Sequence, residues 1–292
     1  MNPSLKKQSL KNWMQRIGVA ASLTLGFSLF STSCEQSDPP NKPTVIRDSG
    51  DIIFSGYGWK IKESTWPVGP GPNVFNKDSL VWVDSKGYLH LRIDYINGRW
   101  QTSEVVCTEN TGYGTYIFTV GSDVAALNER VVVGLFTWDN NSFFPAANSE
   151  VDIEFSKWFN ANDSLTLTYS VQPVIFDNPQ PYSERSHKPK MAVSALKGVT
   201  THAFTWRPEL ISWKSFSGDT YPGTQQLASW QFDNTNQARV KTEGGISSDP
   251  IVIPEPGITT NPRINLWLLG GQGPSDGKPV ELIIRSFQYI PQ

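Results

Sequence analysis

The sequence predicts an all-β fold, a sandwich or jelly roll of two antiparallel sheets. Three observations carry this expectation. Leu89, Leu91, Ile93 and Tyr95 alternate with His90, Arg92 and Asp94, and Leu165, Leu167, Tyr169 and Val171 alternate with Ser164, Thr166, Thr168 and Ser170. That period of two belongs to strands buried on one side. Turn signals then cut the chain at short intervals, at Pro70-Gly71-Pro72, Asn97-Gly98, Ser217-Gly218-Asp219 and Gly270-Gly271. Finally, only 18 % of the 292 residues are charged while 23 are Gly and 21 Pro, a composition that suits neither a coiled coil nor a helical bundle. The 11 Trp, 15 Phe and 9 Tyr are too much apolar ring surface for a disordered chain.

From the N-terminus, Lys6, Lys7, Lys11 and Arg16 precede an apolar run from Ile17 to Phe30, and Ser31-Thr32-Ser33 leads to Cys34. The run is too short to span a bilayer comfortably and has the layout of an export signal. It resembles a bacterial lipoprotein signal, which implies lipidation at Cys34 and a membrane contact through that anchor alone; Ser31 stands where the usual pattern has Leu, and the alternative is an ordinary cleaved signal with a chance Cys. Residues 1–34 are therefore read as signal and residues 35–44 (EQSDPPNKPT) as a polar, Pro-rich tether. The chain is expected at the bacterial cell envelope, otherwise periplasmic or secreted.

One sandwich domain is expected over 45–292. Besides the two alternating runs, strands are predicted at 114–120, 130–137, 150–155, 203–206, 210–213, 264–268 and 280–289 from β-branched and aromatic content. Only 122–130 has helical character. No internal repeat is present, which disfavours a propeller.

Charge narrows the partners. Lys and Arg number 25 against 27 Asp and Glu, and loss of residues 1–34 leaves 21 against 27, a net charge of −6. That sign disfavours nucleic acid and other anionic polymers. No zinc, redox, serine-hydrolase or phosphate-loop motif is present, so no cofactor is expected, apart from the option of a structural calcium ion. A monomer is expected. Cys107 is the only cysteine besides Cys34 and is read as a buried free thiol.

The informative stretch is Asn148 to Phe155. Glu150, Asp152 and Glu154 fall on one face of a strand, and Val151, Ile153 and Phe155 on the other. Three adjacent carboxylates repel one another, and strands are poor in Asp and Glu, so the pattern carries a cost. Glycoside hydrolysis with retention uses two carboxyl groups about 5–5.5 Å apart as nucleophile and acid/base. An Asp between them helps to hold the two Glu in opposite protonation states. A solvated outer face or a surface calcium site would also account for the pentapeptide taken alone.

Glu150-Val151-Asp152-Ile153-Glu154 resembles the signature of glycoside hydrolase family 16, E-[ILV]-D-[IVAF]-E with an optional apolar residue before the last Glu. The likeness extends to 112–118 (GYGTYIF), to 132–138 (VVGLFTW), to 201–206 (THAFTW) with Trp213 behind it, and to the closing strand at 280–289. It implies a concanavalin A-like jelly roll with a sugar-binding cleft on a concave face. It further implies Glu150 as nucleophile, Asp152 as assisting carboxylate and Glu154 as acid/base of a retaining, endo-acting hydrolase. The implied partners are β-linked polysaccharides: β-1,3- or mixed-linkage glucans, or some galactans. A non-catalytic glycan-binding protein and a transglycosylase of the same fold stay open as alternatives. The family's Trp-rich segment before the motif is replaced here by 133–138 and an unfamiliar loop at 139–148.

Ten Trp follow the signal. Trp138 and Trp158 flank the acidic strand in sequence and are the candidates for stacking on sugar. His202 matches a motif His expected beside the carboxylates, with a structural hydrogen-bonding role as the alternative. His90 and His187 are read as surface residues.

Overall fold

The structure is a computed structural model that describes residues 51–142, 147–164, 166–174, 185–236, 240–242, 245–247 and 253–292. The expected signal, Cys34 and the tether lie outside the described residues. Those described fall within one compact unit, Val45–Gln292.

Among the described residues, eighteen strands follow in chain order. The first nine are β1 (Ile52–Phe54), β2 (Tyr57–Ile61), β3 (Val81–Val83), β4 (Leu89–Ile96), β5 (Arg99–Gln101), β6 (Ser103–Cys107), β7 (Gly114–Val120), β8 (Val131–Trp138) and β9 (Val151–Ser156). The rest are β10 (Leu167–Val171), β11 (Ser186–His187), β12 (Thr200–Trp206), β13 (Leu210–Ser217), β14 (Gln226–Asp233), β15 (Val240–Thr242), β16 (Gly245–Ser247), β17 (Asn261–Leu268) and β18 (Val280–Pro291). Each predicted strand is present; those predicted at 203–206, 210–213, 264–268 and 280–289 extend by two to four residues, while β10 begins only at Leu167. Within 122–130 the only helical element is a single 3-10 turn, Val124–Ala126, capped by the Asp123 side chain.

Two large antiparallel sheets make a jelly roll. The first runs β1-β2-β6-β17-β8-β9-β10-β11, the second β14-β13-β12-β7-β18-β4-β3, with β5 paired to β4. Strands far apart in sequence, such as β17 and β8, are neighbours in the sheet. Between the sheets lies one apolar core. Val133 and Leu135 of β8, Val151, Ile153 and Phe155 of β9, and Ile264, Leu266 and Leu268 of β17 meet Tyr116, Phe118, Phe204, Trp206, Trp213 and Ile284 of the second sheet. Each such side chain contributes about 1.5–3 kcal/mol on leaving water. Cys107 is buried in this core as a free thiol, and burial pushes its pKa up to about 12, which leaves it protonated and unreactive.

Because strand side chains alternate, committing one parity of β6, β17, β8 and β9 to the core commits the other parity to the opposite face. A separate small apolar cluster of Val132, Trp267 and Leu269 marks that second face. The carboxylates lie there.

Candidate active site

Glu150 immediately precedes β9, and Asp152 and Glu154 follow on the parity opposite Val151, Ile153 and Phe155. The face is recessed rather than solvated. Asp152 is 3 % exposed, and Ser156, Thr168 and Ser170 on the same face are buried as well. Glu150 and Glu154 are half-buried.

Strand register sets out two rows across the sheet. Glu154 pairs with Thr168 on one side and Gly134 on the other, and Gly134 leads to Asn265 and then Glu104. Asp152 pairs with Ser170 and Phe136, and Phe136 leads to Arg263. Asn265 Oδ1 and Thr168 Oγ1 are buried without a hydrogen-bond partner among the described residues. They flank Glu154 along its row, where hydroxyl groups of a ligand could satisfy them. Glu104, 1 % exposed, is held by Lys62 Nζ at 3.0 Å, with Arg263 Nη1 at 3.7 Å.

The segment leading into Glu150 is strained and tied down. Ala147, Asn148 and Ser149 have φ of 43°, 61° and 52°, left-handed values that cost about 1–3 kcal/mol each for residues other than glycine. Asp139 N donates to Asn148 O at 2.6 Å, Asn148 Nδ2 to Asp139 O at 2.8 Å, and Thr137 Oγ1 to Ser149 O at 2.9 Å. The Asp139 carboxylate is buried and accepts from Asn141 N, Thr259 N, Thr259 Oγ1 and Thr260 Oγ1. From the other sheet, Trp213 Nε1 reaches through the core to donate to Asp152 O at 3.0 Å.

Burial raises the pKa of all three acids. For Glu150, Asp152 and Glu154 it is the largest influence, and for both glutamates the charge of Asp152 adds to it. Asp152 is lifted to about 7, although hydrogen bonds from Gln172 Nε2 (3.1 Å) and Glu150 favour its charged form. Arg263 acts in the opposite sense on Glu150 and favours its ionisation. The cluster therefore keeps its protons to higher pH than carboxyl groups in water do. A mixed set of acid and base forms at one site is what proton transfer during bond cleavage needs.

The remaining predicted residues are distributed differently. Trp138 shares the parity of Gly134 and Phe136, is half-buried, donates from Nε1 to Asn140 Oδ1 at 3.0 Å, and carries the Arg263 guanidinium over its ring at 5.6 Å. One of its faces is thus already occupied by a cation. Trp158 is 38 % exposed, with Trp267 edge-on at 6.5 Å. It and the exposed Phe159 have φ of 48° and 65°, so strained backbone presents two aromatic rings beside the recess.

His202 corrects the expectation of a cleft residue. It is fully buried between the sheets, with Ser215 Oγ at 2.7 Å from Nδ1, Thr200 Oγ1 at 2.8 Å from Nε2, and its ring edge-on to Phe155. Phe155 lies on the core side of β9, so His202 is separated from Glu154 by the sheet itself. Desolvation lowers its pKa to about 3 and keeps it neutral. His90 also departs from its reading as a surface residue: it is 8 % exposed, stacked on Trp82 and bound to Glu281.

Glu104, Gly134, Phe136, Asp139, Gln172, Arg263, Asn265 and Trp267 belong to the site but were not read from the sequence. The alternation Arg263-Ile264-Asn265-Leu266-Trp267 sets three side chains on one face, a visible signal, but not which strand lies beside them. Among the described residues no group of three or more His, Cys, Asp or Glu is arranged to hold a metal ion.

Fold and site together define a jelly roll with a recessed row of carboxyl groups of raised pKa on one sheet. No family model and no curated protein matches the chain. Among solved structures it is similar to a Bacillus licheniformis β-glucanase, at 16 % identity and a TM-score of 0.50 over 80 % of this chain and 92 % of that one. A laminarinase from Flavobacterium sp. UMI-01 matches at 10 % identity and 0.54 over 79 % and 92 %. An immunostimulatory antigen of Mycobacterium tuberculosis, described as a pseudo β-1,3-glucanase, matches at 18 % identity and 0.54 over 80 % and 91 %. At these identities the likeness shows the jelly-roll fold.

Proposed function

We propose that the chain is a retaining, endo-acting glycoside hydrolase that cleaves β-linked polysaccharide by double displacement, most simply a β-1,3- or mixed-linkage β-glucan. The observation that carries this reading is the recess itself: three carboxyl groups side by side, Asp152 buried and Glu150 and Glu154 half-buried, all with raised pKa, flanked by polar atoms of Asn265 and Thr168 that have no partner among the described residues. A solvated face or a surface calcium site would leave the carboxyl groups in water with ordinary pKa values; here Asp152 is buried and burial raises all three. The glucanases and laminarinase of the same fold support the choice of substrate.

In this reading the Glu150 carboxylate attacks the anomeric carbon while Glu154 gives its proton to the departing glycosidic oxygen. The sugar is left esterified to Glu150. Glu154, now a carboxylate, takes a proton from water, whose oxygen attacks the same carbon and releases Glu150. Asp152, hydrogen-bonded to Glu150, carries or yields the proton between them. Trp158 supplies a stacking surface. We further propose export and lipid anchoring at Cys34, which would keep the enzyme at the cell envelope.

The full chain is to be incubated with β-1,3-glucan, mixed-linkage glucan, xyloglucan, agarose and carrageenan beside Glu150→Gln and Glu154→Gln, with new reducing ends followed. Release from one polymer by the wild type alone is expected. Turnover that survives Glu150→Gln would sink the assignment. The antigen described as a pseudo-glucanase favours one second reading, a glycan-binding protein without turnover. Its sign is saturable binding of an intact oligosaccharide that tolerates both replacements.

A further inference from the structure

We propose that Gln172 is a positioning residue of the carboxyl row: it locks Asp152 by its Oδ2 and leaves Oδ1 as the oxygen through which that carboxyl group exchanges a proton. Its bearing on turnover rests on the reading of Asp152 as assisting carboxylate; the lock itself follows from hydrogen-bond direction.

Gln172 directly follows β10, and its Nε2 donates to Asp152 Oδ2 at 3.1 Å. Turned over about its last bond, the same amide would offer an oxygen instead. The backbone forbids that. Val174 N lies 2.8 Å from Gln172 Oε1, and a backbone N–H only donates, so the amide oxygen belongs on that side and the amino group on the other. Asp152 therefore always meets a donor. When it is ionised, Oδ2 accepts a bond that favours the charged form. When it is protonated, Oδ2 is the carbonyl oxygen that faces Nε2, and the proton sits on Oδ1.

The clamp extends beyond one side chain. Gln172 N donates to Glu150 O at 3.0 Å, so a single residue grips the first acid by its backbone and the second by its carboxyl group. Gln172 O accepts from Arg185 Nη2 at 2.8 Å, and Arg185 Nε donates to Val171 O at 3.1 Å. Arg185 is fully buried, with its guanidinium over the Phe232 ring of β14 at 5.2 Å. It braces the end of β10 against the second sheet. Trp213 Nε1 holds Asp152 O at 3.0 Å, so main chain and side chain of Asp152 are both fixed. Its row neighbours Ser170 and Phe136 are uncharged. The charged groups nearby are Glu150 and Glu154 from its own segment, Arg263 beyond Phe136, and Arg185 at the Gln172 carbonyl.

The test follows the full chain by NMR, with nitrogen-15 in the Gln side chains and carbon-13 in the Asp carboxyl groups. It runs from about pH 4 to about pH 9, a range that spans ordinary and raised carboxyl values. Asp152→Asn identifies the Asp152 carbon and the amide that senses it. In the wild type, one Gln amide is expected to shift with the Asp152 midpoint and to lose that shift in Asp152→Asn. If no Gln amide follows the midpoint the proposal is overturned, and no Gln172 variant has to fold for that. The same amide is expected to stay protected from solvent exchange on both sides of the midpoint, relative to exposed Gln amides, since Oδ2 accepts in both forms. Protection lost below the midpoint places the proton on Oδ2 and overturns the lock. Gln172→Met keeps the length, removes the donor and raises the Asp152 midpoint by about one pH unit. Gln172→Glu keeps the shape and the acceptor for Val174 N, and raises it further because a second carboxyl group replaces the donor. A role in stability alone leaves the midpoint unmoved in both folded variants, which also overturns the proposal. In Gln172→Met the acid limb of kcat/KM against pH moves up with the Asp152 midpoint; hydrolysis with an unmoved limb overturns the positioning role in turnover. A chain that titrates as expected but hydrolyses nothing keeps the lock and loses only the hydrolase reading.

Discussion

Gly134 and Asn265 face each other across β8 and β17 so closely that a methyl group on Gly134 would lie 2.5 Å from Asn265 Oδ1. Gly134 is also the cross-strand partner of Glu154. The missing side chain lets the Asn265 amide lean along the row toward the proposed acid/base. Gly134→Ala is therefore expected to displace Asn265 and cost about 1–3 kcal/mol by overpacking, with a loss of kcat/KM of about tenfold or more from misplacement in the row. Thermal unfolding and hydrolysis kinetics together check it; an unchanged pair of values would refute the close approach.

The buried carboxylates predict a stability that falls with pH. An acid whose folded pKa lies above its unfolded value binds more protons in the native state between the two, so stability is lost as pH rises through that window. For Asp152 the window runs from 3.8 to about 7. Asp152→Asn is expected to be more stable than the wild type at pH 8, by an amount on the order of a few kcal/mol, while losing activity. Denaturant melts at pH 5 and pH 8 decide this, and a variant less stable at both would contradict it.

His202 predicts the reverse slope on the acid side. Its folded pKa of about 3 lies below the ordinary histidine value of 6.5, so the unfolded chain takes up a proton first as pH falls. Its contribution is complete above the unfolded value and is lost as pH drops toward 3. His202→Asn is expected to flatten the dependence of Tm on pH between those values, and to leave the shape of the activity profile alone because the side chain never meets the recess.

Asp139 anchors the entry to Glu150. Asp139→Ala leaves the Thr259 and Thr260 donors without their acceptor, and a buried group so stranded costs about 1–3 kcal/mol. The left-handed run at 147–149 keeps its bonds to the Asp139 backbone but loses the carboxylate that fixes that backbone against Asn141, Thr259 and Thr260. A lower Tm together with a lower kcat is expected; a fall in Tm with kcat intact would confine the clasp to stability.

Trp158 is exposed and lies at the end of the strand rather than in the core. Trp158→Ala is expected to raise KM about tenfold for a polymeric substrate, with little change in Tm, since stacked aromatic contacts are worth about 0.5–1.5 kcal/mol each beyond the area they bury. Isothermal calorimetry with an oligosaccharide and the inactive Glu150→Gln background separates binding from chemistry.

Strand periodicity was legible because it depends only on neighbours along the chain. β7 was readable to its ends, Gly114–Val120, and β9 within one residue. The parity that set Glu150, Asp152 and Glu154 apart from Val151, Ile153 and Phe155 holds in the folded molecule. His202 was misplaced by its motif, although its own strand held the correction. It has the same parity as Phe204 and Trp206, and those two rings face inward. Trp138, by the same rule, shares the parity of the outward Phe136.

The sequence by itself determined the all-β architecture and the three acids on one face, since alternation and turn chemistry are local properties of the chain. Tertiary structure decided which residues meet those acids. Arg263 and Asn265 stand more than a hundred residues from Asp152 and Glu154, and only the pairing of β17 with β8 brings them into the rows of those two acids. It also decided that the acids keep their protons to higher pH than in water. A carboxyl group's pKa is set by the solvent it loses and the charges it gains on folding, and neither quantity exists until the two sheets have closed and the recess has formed.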